Sequence, residues 1–151
     1  MCVHQKCRNS PLPSEDRWRE TVSRGFDPHG QRPGKQSLTV TVLPSCEQEV
    51  LVIRVVGEVD LATSDWLREC LEKHLPGSRP GVVLDCTEVS FLAVCGIGLL
   101  IEMADQARTA GVAMRLVAQS RVVLRALEVT EADKLVPRAA TVVEAVAQCT
   151  P

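Results

Sequence analysis

The sequence predicts one α/β domain in which a mixed β-sheet, its first two strands antiparallel, packs with about four α-helices behind an unstructured N-terminal extension. Strand-like and helix-like hydrophobic patterns alternate from Ser37 onward. The length of 151 residues and the 45% hydrophobic fraction suit a single globular domain with a tail. Residues 1–36 break the pattern, carrying seven Lys or Arg against four acids with Pro and Gly scattered among few aliphatics. That segment has a net charge of +3, so a whole-chain charge of −2 leaves −5 for residues 37–151. A stretch so poor in apolar surface cannot offset its ordering entropy. Residues 1–36 are therefore predicted to be a flexible basic extension and 37–151 the folded domain. The basic residues are dispersed rather than clustered, so no direct contact with nucleic acid is expected.

Within the domain, Leu38 to Leu43 alternates as a half-buried strand does, and Pro44-Ser45-Cys46 turns the chain. Val50 to Val56 then reads as the antiparallel second strand. The first helix is placed at Thr63 or Ser64, with Asp65 in its first turn and Leu67, Cys70, Leu71 and either His74 or Leu75 on one face. Val82 to Cys86 is apolar except for Asp85, as suits a strand covered on both sides. A second helix from about Gly96 to Thr109 turns Leu100, Met103, Ala104 and Ala107 inward and stops at Gly111. Ahead of it, alternation assigns Phe91 and Leu92 to the core. Val112 to Ala118 is the fourth strand, Arg121 to Val129 the third helix behind Ser120, and Lys134 to Pro137 the fifth strand. Thr141-Val142-Val143-Glu144 is a capping box that opens the last helix.

Several chemistries lack their residues. No apolar run approaches the roughly 20 residues that span a bilayer, and the N-terminus lacks the apolar core of a signal peptide. A cytoplasmic location is expected. Seven cysteines, an odd number without a C-x-x-C pair, then read as free thiols. Cys2, His4 and Cys7 have no further cysteine nearer than Cys46, so no metal site is assigned. Gly96 and Gly98 lack the third glycine of a dinucleotide fingerprint and read as close packing at a helix start. Glu58 and Asp60 have no histidine beside them, and no nucleophile–base order is visible. The chain is not expected to be an enzyme, and no cofactor is implied.

The run Leu84-Asp85-Cys86-Thr87-Glu88-Val89-Ser90-Phe91-Leu92-Ala93-Val94-Cys95-Gly96-Ile97-Gly98 resembles the central signature of the STAS domain, shared by bacterial anti-sigma factor antagonists and the cytoplasmic tails of sulfate transporters. Gly57-Glu58-Val59-Asp60 resembles the family's turn after its second strand, and Ala126 to Thr130 with Asp133 to Val136 its last helix–strand segment. In the phosphorylatable antagonists the loop carries Asp, then the phosphoacceptor, then a second hydroxyl residue. Aligned on Phe91 and Gly96, these fall on Ala93, Val94 and Cys95, so the scaffold is retained and the phosphoacceptor is absent.

The resemblance implies a regulatory protein–protein interaction domain. It would bind an anti-sigma factor of serine-kinase-like ATPase fold, control sigma-factor-dependent transcription, and do so without serine phosphoswitching. The implied contact residues are Asp60, Ala93, Val94, Cys95, Gly96 and Ile97, with Val94 in an exposed turn. Two alternatives stay open. One is an accessory or scaffold subunit of a transporter or stress-signalling complex, with other STAS proteins as partners. The other is a thiol-dependent enzyme or redox sensor acting through Cys95, since thiols at helix starts can be reactive.

Overall fold

A computed structural model describes residues 20–25, 37–44, 50–75 and 79–150. Six strands form one sheet in chain order: β1 (Glu20–Gly25), β2 (Ser37–Pro44), β3 (Leu51–Val59), β4 (Gly81–Leu92), β5 (Ala113–Val117) and β6 (Arg138–Ala139). β1, β2 and β3 pair antiparallel, and β3 to β6 pair parallel. Parallel neighbours need crossovers, supplied by α1 (Leu61–Glu72), α2 (Val94–Thr109) and α3 (Arg121–Val129), while α4 (Val142–Cys149) ends the fold. The predicted class, a mixed sheet with an antiparallel first pair and four helices, is the one observed.

The register stacks apolar rows across the sheet: Val42 opposite Ile53, Ile53 opposite Leu84, Leu84 opposite Leu116. One face carries the main core, where Leu67, Leu100, Met103 and Leu127 of α1, α2 and α3 meet Val40, Ile53 and Leu84. The other face has a smaller core in which Ala145 and Cys149 of α4 cover Val50, Val83 and Val117. Being sandwiched on both sides is why β4 opens as a continuous apolar run.

α2 starts at Val94, not about Gly96, so Val94 is the first residue of the helix and not part of a turn ahead of it, and β3 runs on to Val59, not Val56. Four further differences from the sequence reading have local reasons. Within the extension read as unstructured, Glu20–Gly25 forms β1, because an edge strand such as β2 presents a free row of backbone groups. α1 starts at Leu61, not Thr63 or Ser64, because Asp60 caps it; Asp65 is then exposed and beyond the first turn. β4 continues through Ser90 and Phe91 to Leu92, keeping Glu58 opposite Phe91 and Val59 opposite Leu92 across two irregularities. One of these falls at Gly57, whose φ of 119° suits glycine.

The fourth difference is the expected strand at Lys134 to Pro137. Ala132–Lys134 is instead a 3-10 turn, entered through Glu131 at φ 57°, and the strand follows at Arg138–Ala139. Ala132 and Val136 are both fully buried and linked by a Val136 N–H to Ala132 carbonyl bond of 2.9 Å, so the segment is anchored with helical rather than strand spacing. The capping box of α4 is present, with a difference in one partner. Thr141 Oγ1 accepts from Glu144 N–H at 3.1 Å, and the Glu144 carboxylate accepts from Ala140 N–H at 3.0 Å.

Candidate functional site

The carboxyl ends of β3 and β4 are paired, with Val59 beside Leu92 and Ala93 N–H donating to the Val59 carbonyl at 2.8 Å, so α1 and α2 begin side by side. Asp60 caps α1 by accepting from Ala62 N–H at 2.9 Å and Thr63 N–H at 3.0 Å, and Thr63 Oγ1 accepts from Asp60 N–H at 3.0 Å. Its carboxylate thus serves the fold's own backbone. Ser64 Oγ donates to the Asp60 carbonyl at 2.5 Å and lies 3.2 Å from Cys95 Sγ. A hydroxyl has one proton, so the Cys95 thiol donates to Ser64 in this arrangement and links the first turns of the two helices.

The α2 start is bare. Ala93 occupies the N-cap position with extended backbone and no side-chain cap, where Ser, Thr, Asp or Asn would bond a free N–H. Val94 follows at 78% exposure, and Leu61, first residue of α1, is 81% exposed. Gly96 and Ile97 lie on the inner side. A Cβ on Gly96 would sit 2.7 Å from both Leu92 Cδ1 and Val59 Cγ1, whereas one on Gly98 meets nothing within 4 Å. Close packing therefore explains Gly96 and does not explain Gly98.

The six residues implied as a contact set are brought to one end of the sheet but differ in access. Val94 is exposed, Ala93, Cys95 and Asp60 are half-buried, and Gly96 and Ile97 are buried in the core. The position of Phe91 corrects the core assignment made from alternation: with Leu92 turned inward, Phe91 points to the opposite face and is 46% exposed. Sequence reading assigns Thr63 or Ser64 only as the helix start and passes over Leu61. The available signal was Asp60-Leu61-Ala62-Thr63, whose spacing is that of a reciprocal cap.

Nearby hydroxyls are engaged. Thr87 Oγ1 donates to Asp85 Oδ1 at 2.7 Å, which with Thr87 N–H at 3.1 Å satisfies that buried carboxylate; Ser90 Oγ donates to the Gly57 carbonyl at 3.3 Å. The four described cysteines are free thiols. Burial, with the Asp85 charge adding to it, pushes the Cys86 thiol up to about 12, and burial raises Cys149 as well. Among the described residues no His, Cys, Asp and Glu cluster could hold a metal and no helix is long and apolar enough to cross a membrane. Cys2, His4 and Cys7 lie outside the described residues.

The carboxyl ends of two parallel strands thus carry two adjoining helix starts and an exposed apolar residue. The chain belongs to the STAS domain family, whose model matches residues 40–145. It is 36% identical over 72 residues to osmosensory protein A of Mycobacterium tuberculosis, a match covering 48% of this chain and 45% of that protein. The chain thus spans less than half the length of that relative. Among solved structures it is similar to an anti-sigma factor antagonist from Mycobacterium paratuberculosis, with 25% identity, 74% of this chain and 93% of the other covered, and a TM-score of 0.67. An anti-sigma-factor antagonist STAS domain protein from Planctomyces limnophilus shares the fold at 22% identity, covering 74% and 97%, with a TM-score of 0.61.

Proposed function

We propose that this chain is an anti-sigma factor antagonist-like docking module. In this reading it acts in the cytoplasm, binds an anti-sigma factor of serine-kinase-like ATPase fold through the starts of α1 and α2, and is not itself an enzyme. The observation that carries the reading is Val94: at 78% exposure it stands where the family's phosphoacceptor would be, beside exposed Leu61. Apolar side chains held in water at a family contact position are what a partner surface requires. The likeness to antagonists of known structure supports the partner class.

Valine cannot accept phosphate, and the Thr87 and Ser90 hydroxyls already serve Asp85 and Gly57. The module is therefore constitutively competent to dock, without the roughly two negative charges that phosphorylation would add. Immobilised protein exposed to native cytoplasmic extract, under reducing and oxidising conditions, is expected to retain an ATPase-fold protein that Val94→Asp does not retain. Equal retention by Val94→Asp, or recovery of no such protein, overturns the docking surface. Phosphate found on Thr87 or Ser90 after incubation with that partner and ATP overturns the absence of a phosphoswitch.

A further inference from the structure

At the opposite end of α2, β5 is only partly covered. β4 pairs with all of Ala113–Val117, whereas β6 pairs only with Leu116 and Val117. Ala113 N–H donates toward β4, to the Pro80 carbonyl at 3.0 Å, and Leu116 N–H toward β6, to the Pro137 carbonyl at 2.8 Å. Backbone groups alternate between edges along a strand, so Met114 N–H faces the edge that β6 leaves open. The Met114 carbonyl faces it too and is taken by Arg115 Nη1 at 2.8 Å, while Arg115 Nε is held by Gln148 Oε1 at 2.9 Å. Arg115 thus meets neutral acceptors in place of a carboxylate and keeps further N–H groups to donate.

A groove of about 770 Å³ runs along this edge, between the outer side of α2 and the turn before β6. That volume is within the range of small-molecule sites. Its walls include Ile101, Pro137 and Leu135, the last 61% exposed, so a large apolar side chain stands open at its border. The carboxylates along it are occupied: Glu102 pairs with Arg68 of α1, and Asp105 with Arg108. The open edge therefore offers donors beside apolar walls.

We propose that this groove binds a small amphipathic carboxylate, its apolar body against Ile101, Leu135 and Pro137 and its carboxylate accepting from Met114 N–H and the Arg115 guanidinium. Lys134, ion-paired to Glu131 at 3.1 Å with both side chains exposed, adds positive charge at the mouth. Titration of the isotope-labelled full chain with octanoate, below its micelle-forming concentration, should give saturable amide shifts along the groove, with Met114 among the largest. Arg115→Gln should weaken the binding about tenfold or more. Lys134→Gln, a change at an exposed site that leaves folding intact, should weaken it by a smaller factor. Octanol or octylamine binding as well as octanoate overturns the proposal, as do octanoate shifts that fail to saturate or a site indifferent to both substitutions.

Discussion

Two halves of one helix start obey different rules. Val94 and Gly96 are two residues apart, yet Val94 is 78% exposed while any side chain at Gly96 would strike Leu92 and Val59. The inner half is constrained by packing: Gly96 lets α2 sit close on the ends of β3 and β4, and Ile97 at 4% exposure anchors it. On the outer half, Val94 stands clear of that packing. A residue that the fold does not need, and that is apolar where water would prefer polar, is the place to look for a partner.

The largest effect is expected from the inner half. Ile97→Ala should cost about 2–5 kcal/mol, measured by denaturant unfolding, through lost burial and a cavity beneath α2. A cost below 1 kcal/mol would break the comparison by making Ile97 as dispensable as Val94. Gly96→Ala comes next, at about 1–3 kcal/mol from overpacking against Leu92 and Val59. Gly98→Ala has the opposite sign, a gain of about 0.5–1 kcal/mol, since its added methyl meets nothing within 4 Å and alanine favours the helix. Asp60→Ala should cost about 0.5–2 kcal/mol through the lost cap of α1, with Asp60→Asn retaining most of the stability.

The inner half was legible in the sequence because packing imposes periodicity. The spacing of Leu100, Met103, Ala104 and Ala107 marked the buried side of α2, and all four are buried. Thr141 and Glu144 announced α4 by a capping pattern that repeats across proteins. Phe91 and the end of β4 were not legible, because an outward strand position can hold any residue and Ser90-Phe91 reads equally as a loop. The cap at Asp60 was hidden for another reason: it reverses the usual box, with the acid at the cap and threonine at the third position. The exposure of Val94 was implied only by the family resemblance, and the strand in the extension was not legible at all, because an edge pairs through backbone groups common to every residue.

Thiol chemistry sharpens the same contrast. Cys86 lies inside the sheet with its thiol pushed up to about 12, while Cys95 is half-buried at the rim. A proton held more tightly in the folded state than in the unfolded chain contributes stability below the ordinary thiol value near 9 and loses it as pH rises toward 12. Unfolding midpoints should therefore be insensitive to Cys86 at neutral pH and fall on the alkaline side, with Cys86→Ala removing part of that slope. Iodoacetamide at neutral pH should label Cys95 before Cys86, read by peptide mass spectrometry; the reverse order would place the open surface elsewhere.

The smallest expected effect on stability belongs to Val94→Asp, and it is the most informative. An exposed side chain makes few contacts to lose, so stability should stay within about 0.5 kcal/mol. The added carboxylate stands in the first turn of a helix with no side-chain cap, where a negative charge is favoured by the free N–H groups, so any change should be toward greater stability. If Val94 seats in an apolar partner surface, the same charge must be desolvated on docking, and binding should fall by at least tenfold, read by calorimetry with the captured partner. Unchanged stability with lost binding separates the outer half from the fold. Loss of both would mean that Val94 supports α2 itself, and the division between a packed inner half and a free outer half of this helix start would fail.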